Sequence, residues 1–178
     1  YIEVRCIDVN PFSAVGIDAG QMRFLDTFLL YCLLEESPAC NNKVQAIQAA
    51  NMEAVVNRGR MPGLMLQTEA GEKPMPDCAA ELFTALQPVA ELLDKANEST
   101  QYSETLQQQL AKVADPELTP SARVLREMRE KDLPFFRLAM TYSEQWAEHF
   151  RSRKLSSQVQ AEFEEETRRS LAAQKDIE

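Results

Sequence analysis

Tyr1-Ile2-Glu3-Val4-Arg5-Cys6-Ile7-Asp8-Val9-Asn10-Pro11-Phe12 is the stretch on which the reading of the whole chain turns. Apolar and charged residues alternate through it, the period of a half-buried strand. On such a strand Tyr1, Glu3 and Arg5 share one face, and Ile2, Val4 and Cys6 share the other. A carboxylate and a guanidinium two residues apart on one face can enter a single cleft and hold a metal ion and a phosphate side by side. Magnesium takes hard carboxylate oxygens and bridges protein to nucleotide phosphates. Arginine offers a planar, permanently charged fork that matches phosphoryl oxygens. The same pair also suits an ordinary ion pair on a solvated sheet face, and the residues alone leave both readings open. Cys6 lies on the opposite face and is not read as a nucleophile.

A strand needs a partner, because unpaired backbone groups are costly when buried. Downstream, only Leu64-Met65-Leu66-Gln67-Thr68 reads as a second strand, and it is short. The chain also opens without an initiator methionine. The expectation is that most of a sheet lies upstream of Tyr1, in polypeptide of a longer protein.

The 178 residues suffice for one ordinary domain with a sizeable core. Hydrophobic residues make up 44%, which argues against disorder. A net charge of −9 disfavours a nucleic-acid or anionic-membrane surface, since both partners are polyanions. No apolar run reaches the roughly 18 residues of a membrane span. The 4 cysteines, Cys6, Cys32, Cys40 and Cys78, show no C-x-x-C spacing, and His149 is the 1 histidine, so a zinc site is not expected. Scattered cysteines fit a reducing cytoplasm. Cys32, in a strongly apolar stretch, reads as a small core residue.

Beyond the opening segment the pattern is helical. Asn10-Pro11 and Gly16 mark a turn. Asp18 and Gln21 make a capping box. Leu25, Phe28, Leu29, Cys32 and Leu33 follow as an apolar stripe, with Pro38 beyond its end. A second helix is expected over 42–58, with Val44, Ile47, Met52 and Val55 contributing apolar surface and Gly59 closing it. The polar segment Glu69 to Pro76 reads as an exposed loop, and Asp77 as the cap of the next helix. Leu82, Leu86, Val89 and Leu93 share a face there, and Pro88 is expected to kink or split it. Tyr102, Leu106, Leu110 and Val113 form another stripe. Asp115-Pro116 breaks the chain, and Thr119-Pro120 starts a helix carrying Val124, Leu125 and Met128. A longer helix begins near Pro134, with Phe135, Leu138, Tyr142 and Trp146 at helical spacing. The last segment, Ser156 to Glu178, reads as a solvated helix that frays at its end.

With these residues in place, the opening Y-I-E-V-R-C-I-D-V-N-P-F-S-A-V-G-I-D resembles the E-x-R-x-x-D-x-N-P-F segment of bacterial glutamate–cysteine ligases. Arg23-Phe24-Leu25-Asp26, Gly59-Arg60-Met61-Pro62-Gly63 and Leu118-Thr119-Pro120-Ser121-Ala122-Arg123 look like that family in the same order, and the likeness corresponds to its C-terminal portion. The resemblance implies an α+β fold: a mainly helical region, 17–178, after an active-site strand and turn, 1–16, of a larger glutamine-synthetase-like sheet. It implies an ATP-dependent reaction. The γ-carboxylate of L-glutamate attacks the terminal phosphate to give γ-glutamyl phosphate, and the amine of L-cysteine displaces phosphate, the first step of glutathione biosynthesis. It implies that Glu3 is a ligand of Mg2+ and that Arg5 contacts the transferring phosphate, as catalytic and nucleotide-binding residue. The partners so implied are L-glutamate, L-cysteine, ATP and the missing N-terminal portion, with no nucleic acid and no membrane, in the cytoplasm.

Other positions carry less. Asp8 orients Arg5 or is a strand-terminal turn residue. Asn10-Pro11 reads as structural, Arg60 as a helix-terminal charge rather than a nucleotide contact, and Arg123 as half of an ion pair. Tyr142 and Trp146 read as core, and His149 as a surface residue. Two alternatives stand beside the ligase: an enzyme joining glutamate to a different amine, and a helical interaction or regulatory module in which Glu3 and Arg5 are only structural.

Overall fold

Asp18 opens helix α1 (Ala19–Leu34) by accepting the Gln21 N–H at 2.8 Å, while the Gln21 side chain accepts the Asp18 N–H at 3.1 Å. This is the expected capping box. In the computed structural model, which describes residues 2–5, 7–37 and 39–177, helix α2 (Asn42–Arg58) follows, capped by Asn41 and closed by Gly59. Strands β1 (Met65–Thr68) and β2 (Gly71–Pro74) form an antiparallel hairpin with Leu66 opposite Lys73. Helices α3 (Met75–Ala96) and α4 (Gln101–Ala114), a 3₁₀ turn (Pro116–Leu118) and helix α5 (Pro120–Glu130) complete a first compact unit, residues 1–135. Helices α6 (Phe135–Ser152) and α7 (Ser157–Ile177) make up a second unit, residues 136–178. The expectations for Tyr1 and Cys6 as strand residues, for Pro38 as helix terminator and for Glu178 as the end of the last helix lie outside the described residues.

The core of the first unit is built where α3 and α4 meet α1. Phe83, Leu86 and Ala90 of α3 and Leu106 of α4 are buried together, with Phe24, Phe28 and Tyr31 of α1 and Tyr102, Leu110 and Val113 of α4 packed against them. Phe24 stacks on Phe83 with ring centroids 5.9 Å apart. Leu86 and Leu106, fully removed from water, each contribute about 1.5–3 kcal/mol. The α4 stripe is the one expected from spacing. The α1 stripe is met at Phe28 but not at its C-terminal end: Phe24, Phe28 and Tyr31 pack on the core, while Cys32 is exposed and Leu33 is 78% exposed. Almost every residue from Phe24 to Leu34 is apolar, so periodicity could not choose a face. The aromatic rings, with the larger area to bury, took the core side.

Three further expectations are corrected. Residues 71–74 are a strand rather than loop. Thr68 Oγ1 accepts the Ala70 N–H at 3.2 Å and donates to the Gly71 carbonyl at 2.7 Å, so the turn closes and β2 pairs with β1. Asp77 lies in the first turn of α3, after an N-cap at Pro74, where its charge complements the helix dipole. Of the two outcomes expected at Pro88, the split does not occur: α3 runs through it as one helix. Helix α2 docks on β1 through an amide clamp that periodicity does not announce. Asn51 Nδ2 donates to the Gln67 carbonyl at 2.9 Å, and Asn51 Oδ1 accepts the Gln67 N–H at 2.8 Å. Lys73 of β2 pairs with Glu81 of α3, which raises the pKa of the lysine above its ordinary value.

In the second unit Leu138 is buried and Tyr142 and Trp146 are half-buried, while Phe135 and His149 are exposed. Every described residue of α7 is exposed, as a solvated helix requires. No helix among the described residues is long and apolar enough to cross a membrane.

Candidate functional site

Residues 2–5 and 7–9 carry no regular secondary structure. The second strand read from the sequence, 64–68, pairs with β2 and not with them, so the opening segment has no ladder among the described residues. Its apolar residues are left in water, with Ile2 74% and Val9 79% exposed. Glu3 and Arg5 nevertheless come together. Arg5 Nη2 donates to Glu3 Oε2 at 2.8 Å, and the two side chains remain 47% and 80% exposed, Glu3 and Arg5 respectively. A pair this open is screened by water and holds the backbone weakly, so both groups are free to exchange each other for a cation and an anion. Asp8 is exposed, and no hydrogen bond joins it to Arg5. Among the described residues no cluster of His, Cys, Asp and Glu is arranged to hold a metal ion.

The segment ends in a tightly built turn. Asn10 is buried: its N–H donates to the Gly16 carbonyl at 2.7 Å, its carbonyl accepts from Ser13 at 3.2 Å, and its side-chain oxygen accepts the Phe12 N–H at 3.1 Å. Its amide nitrogen reaches the Gln21 side chain of the capping box at 3.4 Å. Gly16 supplies the left-handed conformation the turn needs, with φ +76°. The structural reading of Asn10 therefore holds.

The turn faces the start of α5 across a cleft of about 640 Å³ lined by Asn10, Phe12, Asp18, Lys112, Arg123 and Arg126. Thr119 caps α5 by accepting the Ala122 N–H at 3.3 Å, with Pro120 in the first turn, as expected. Arg123 makes the expected ion pair, Nε to Glu127 at 3.0 Å, and also lies 3.6 Å above the Phe12 ring. That stack joins two distant parts of the chain, and no local pattern marks it. Arg60 is not only a helix-terminal charge: it reaches Glu117 at 3.7 Å, and Arg126 approaches the same carboxylate at 3.9 Å. Lys112, Arg123 and Arg126 are thus balanced by Asp18, Asp115 and Glu117 around one cleft.

Comparison with known proteins fits this geometry. A family model described as glutamate-cysteine ligase matches residues 1–55, the stretch that contains the Glu3–Arg5 pair, the Asn10 turn and all of α1. Glutamate–cysteine ligases of Pseudomonas fluorescens Pf-5 and Azotobacter vinelandii are each 46% identical over the whole chain, which covers 34% of either relative. The crystal structure of the Francisella tularensis glutamate–cysteine ligase, solved in complex with AMP, superposes with a TM-score of 0.86 at 28% identity, over 97% of this chain and 34% of that one. The resemblance read from the sequence is therefore met by relatives over the whole chain and by a solved structure over 97% of it. The chain spans about a third of the length of the relatives it matches.

Proposed function

We propose that this chain is the C-terminal portion of a cytoplasmic glutamate–cysteine ligase, and that Glu3 and Arg5 are its contribution to the Mg2+–ATP site. The observation that carries the reading is the Glu3–Arg5 pair: co-directed, 2.8 Å apart and open to solvent, on a segment within the family match. Glu3 offers one hard carboxylate oxygen donor of the kind magnesium takes. It fits as one ligand of a shared site, with the others coming from polypeptide outside this chain. Arg5 is the permanent cation that phosphoryl transfer requires beside the terminal phosphate. Bound magnesium would neutralise phosphate charge as L-glutamate attacks. Arg5 would hold the equatorial oxygens as γ-glutamyl phosphate forms, before L-cysteine displaces the phosphate. The opening segment, without a ladder among the described residues and with exposed apolar side chains, fits a strand that adds to a glutamine-synthetase-like sheet supplied by the remainder.

Two charged side chains do not make a nucleotide site, so the isolated chain is expected to be inert. Incubation with ATP, magnesium, glutamate and cysteine should give no γ-glutamylcysteine above background, while the intact ligase turns over. Robust product from the isolated chain would overturn the shared-site reading. A panel of amines offered to the intact protein, with ADP release followed, separates a cysteine ligase from one acting on another amine.

A further inference from the structure

The segment that carries Glu3 and Arg5 leaves the body of the protein at Asn10, and what fixes its direction there decides where the two groups arrive. The bonds that shape the turn are local, joining Asn10 to Phe12, Ser13, Gly16 and Gln21. A contact from far along the chain joins them: the Arg123 guanidinium lies 3.6 Å over the Phe12 ring. Arg123 is itself held by Glu127 at 3.0 Å, and Glu127 accepts Lys131 Nζ at 2.7 Å while its side chain is only 13% exposed. The guanidinium is therefore aimed before it meets the ring. A planar fork can stack flat on an aromatic face while its Nε–H stays bonded to a carboxylate; an ammonium has no plane to stack.

We propose that Arg123 is a positioning residue for the phosphoryl-transfer site, clamping Phe12 and with it the exit angle of residues 2–9. The proposal deepens the function assigned above and rests on it. From Asn10 to Glu3 an extended segment is a lever of roughly 20 Å, so a small rotation at the turn displaces Glu3 by ångströms. Misplacement of about 1 Å at a reacting centre can cost on the order of 10² in rate. If loosening leaves the segment correctly aimed in only a fraction of molecules, apparent metal affinity falls by the inverse of that fraction.

The test compares Arg123→Lys, Phe12→Leu, the double variant and Phe12→Tyr in the intact ligase. Mn2+ serves as a spectroscopic probe of the magnesium site: its affinity in the presence of ATP is read by electron paramagnetic resonance, beside kcat, KM and the melting temperature. Arg123→Lys and Phe12→Leu should each weaken Mn2+ binding about 5- to 20-fold. The double variant should be no weaker than the worse single one, and Phe12→Tyr, which keeps the ring face, should bind as the parent does. Unchanged Mn2+ affinity with a lowered melting temperature would make the stack merely structural and overturn the proposal. So would additive losses in the double variant. Glu3→Gln, run alongside, separates the two levels. If it weakens Mn2+ binding while Arg123→Lys does not, the clamp alone fails. If Glu3→Gln has no effect either, the assignment of Glu3 and the clamp built on it fall together.

Discussion

Gly16 shows how much of the site depends on backbone rather than on charge. Its φ of +76° lies in the region that L side chains rarely adopt, and a Cβ there would sit 2.9 Å from Val9 Cγ1. Gly16→Ala should therefore destabilise the first unit by about 1–2 kcal/mol, read as a lowered urea midpoint at unchanged slope. An unchanged midpoint would mean that the turn reshapes freely. Glu3 and Arg5 were legible in the sequence because alternation puts them on one face, and the structure keeps them together even where no ladder forms. The Phe12–Arg123 stack was not. Nothing local distinguishes Arg123 from Arg126 or Arg129 on α5, and only the packed chain brings one of them over the ring.

The turn between α3 and α4 carries the clearest energetic consequences among the elements. Asp94, buried at the end of α3, accepts the Tyr102 N–H at 2.8 Å and the Ser103 N–H at 3.0 Å, so a side chain of one helix satisfies the open N-terminus of the next. Burial pushes its carboxyl pKa up, but the hydrogen bonds from Ser103, Tyr102 and Ser99 together outweigh burial and hold it below the ordinary carboxylate value. A depressed pKa means stability that is present above the unfolded value, about 4, and is lost as pH falls through the folded one. Asp94→Asn should lower stability at neutral pH and flatten the loss in acid. Parallel acid profiles for parent and variant would contradict this. Four residues after Asp94, Glu98 holds φ 50° while the Ser99 N–H closes onto the Asp94 carbonyl at 2.9 Å. That is a glycine position of a helix C-terminus, so Glu98→Gly should raise the melting temperature by relieving about 1 kcal/mol of backbone strain, and an unchanged or lowered melting temperature would contradict it. Caps made α1 and α5 legible at their starts and α2 at its end. The hairpin escaped because Gly71 and Pro74 read as loop residues, and pairing is a property of two segments rather than one.

Across the whole molecule, the mainly helical character and the small share of strand were readable from periodicity, and the likeness to glutamate–cysteine ligases from the motifs laid over it. The inward face of α1 was not, because a helix apolar at nearly every position from Phe24 to Leu34 takes its orientation from what it packs against. The opening segment is the extreme case: its alternation encodes a strand, yet a strand exists only with a neighbour, and the described residues supply none. In the proposed ligase that neighbour is the remainder of the protein, and the segment delivers Glu3 and Arg5 to nucleotide bound there. The most direct measurement is glutamate- and cysteine-dependent ADP release by the intact ligase bearing Glu3→Gln or Arg5→Ala. Each should cut kcat/KM by roughly 10²-fold or more, because each removes charge stabilisation of the transferring phosphoryl group. Turnover near that of the parent in both variants would reduce the pair to a surface ion pair and contradict the account.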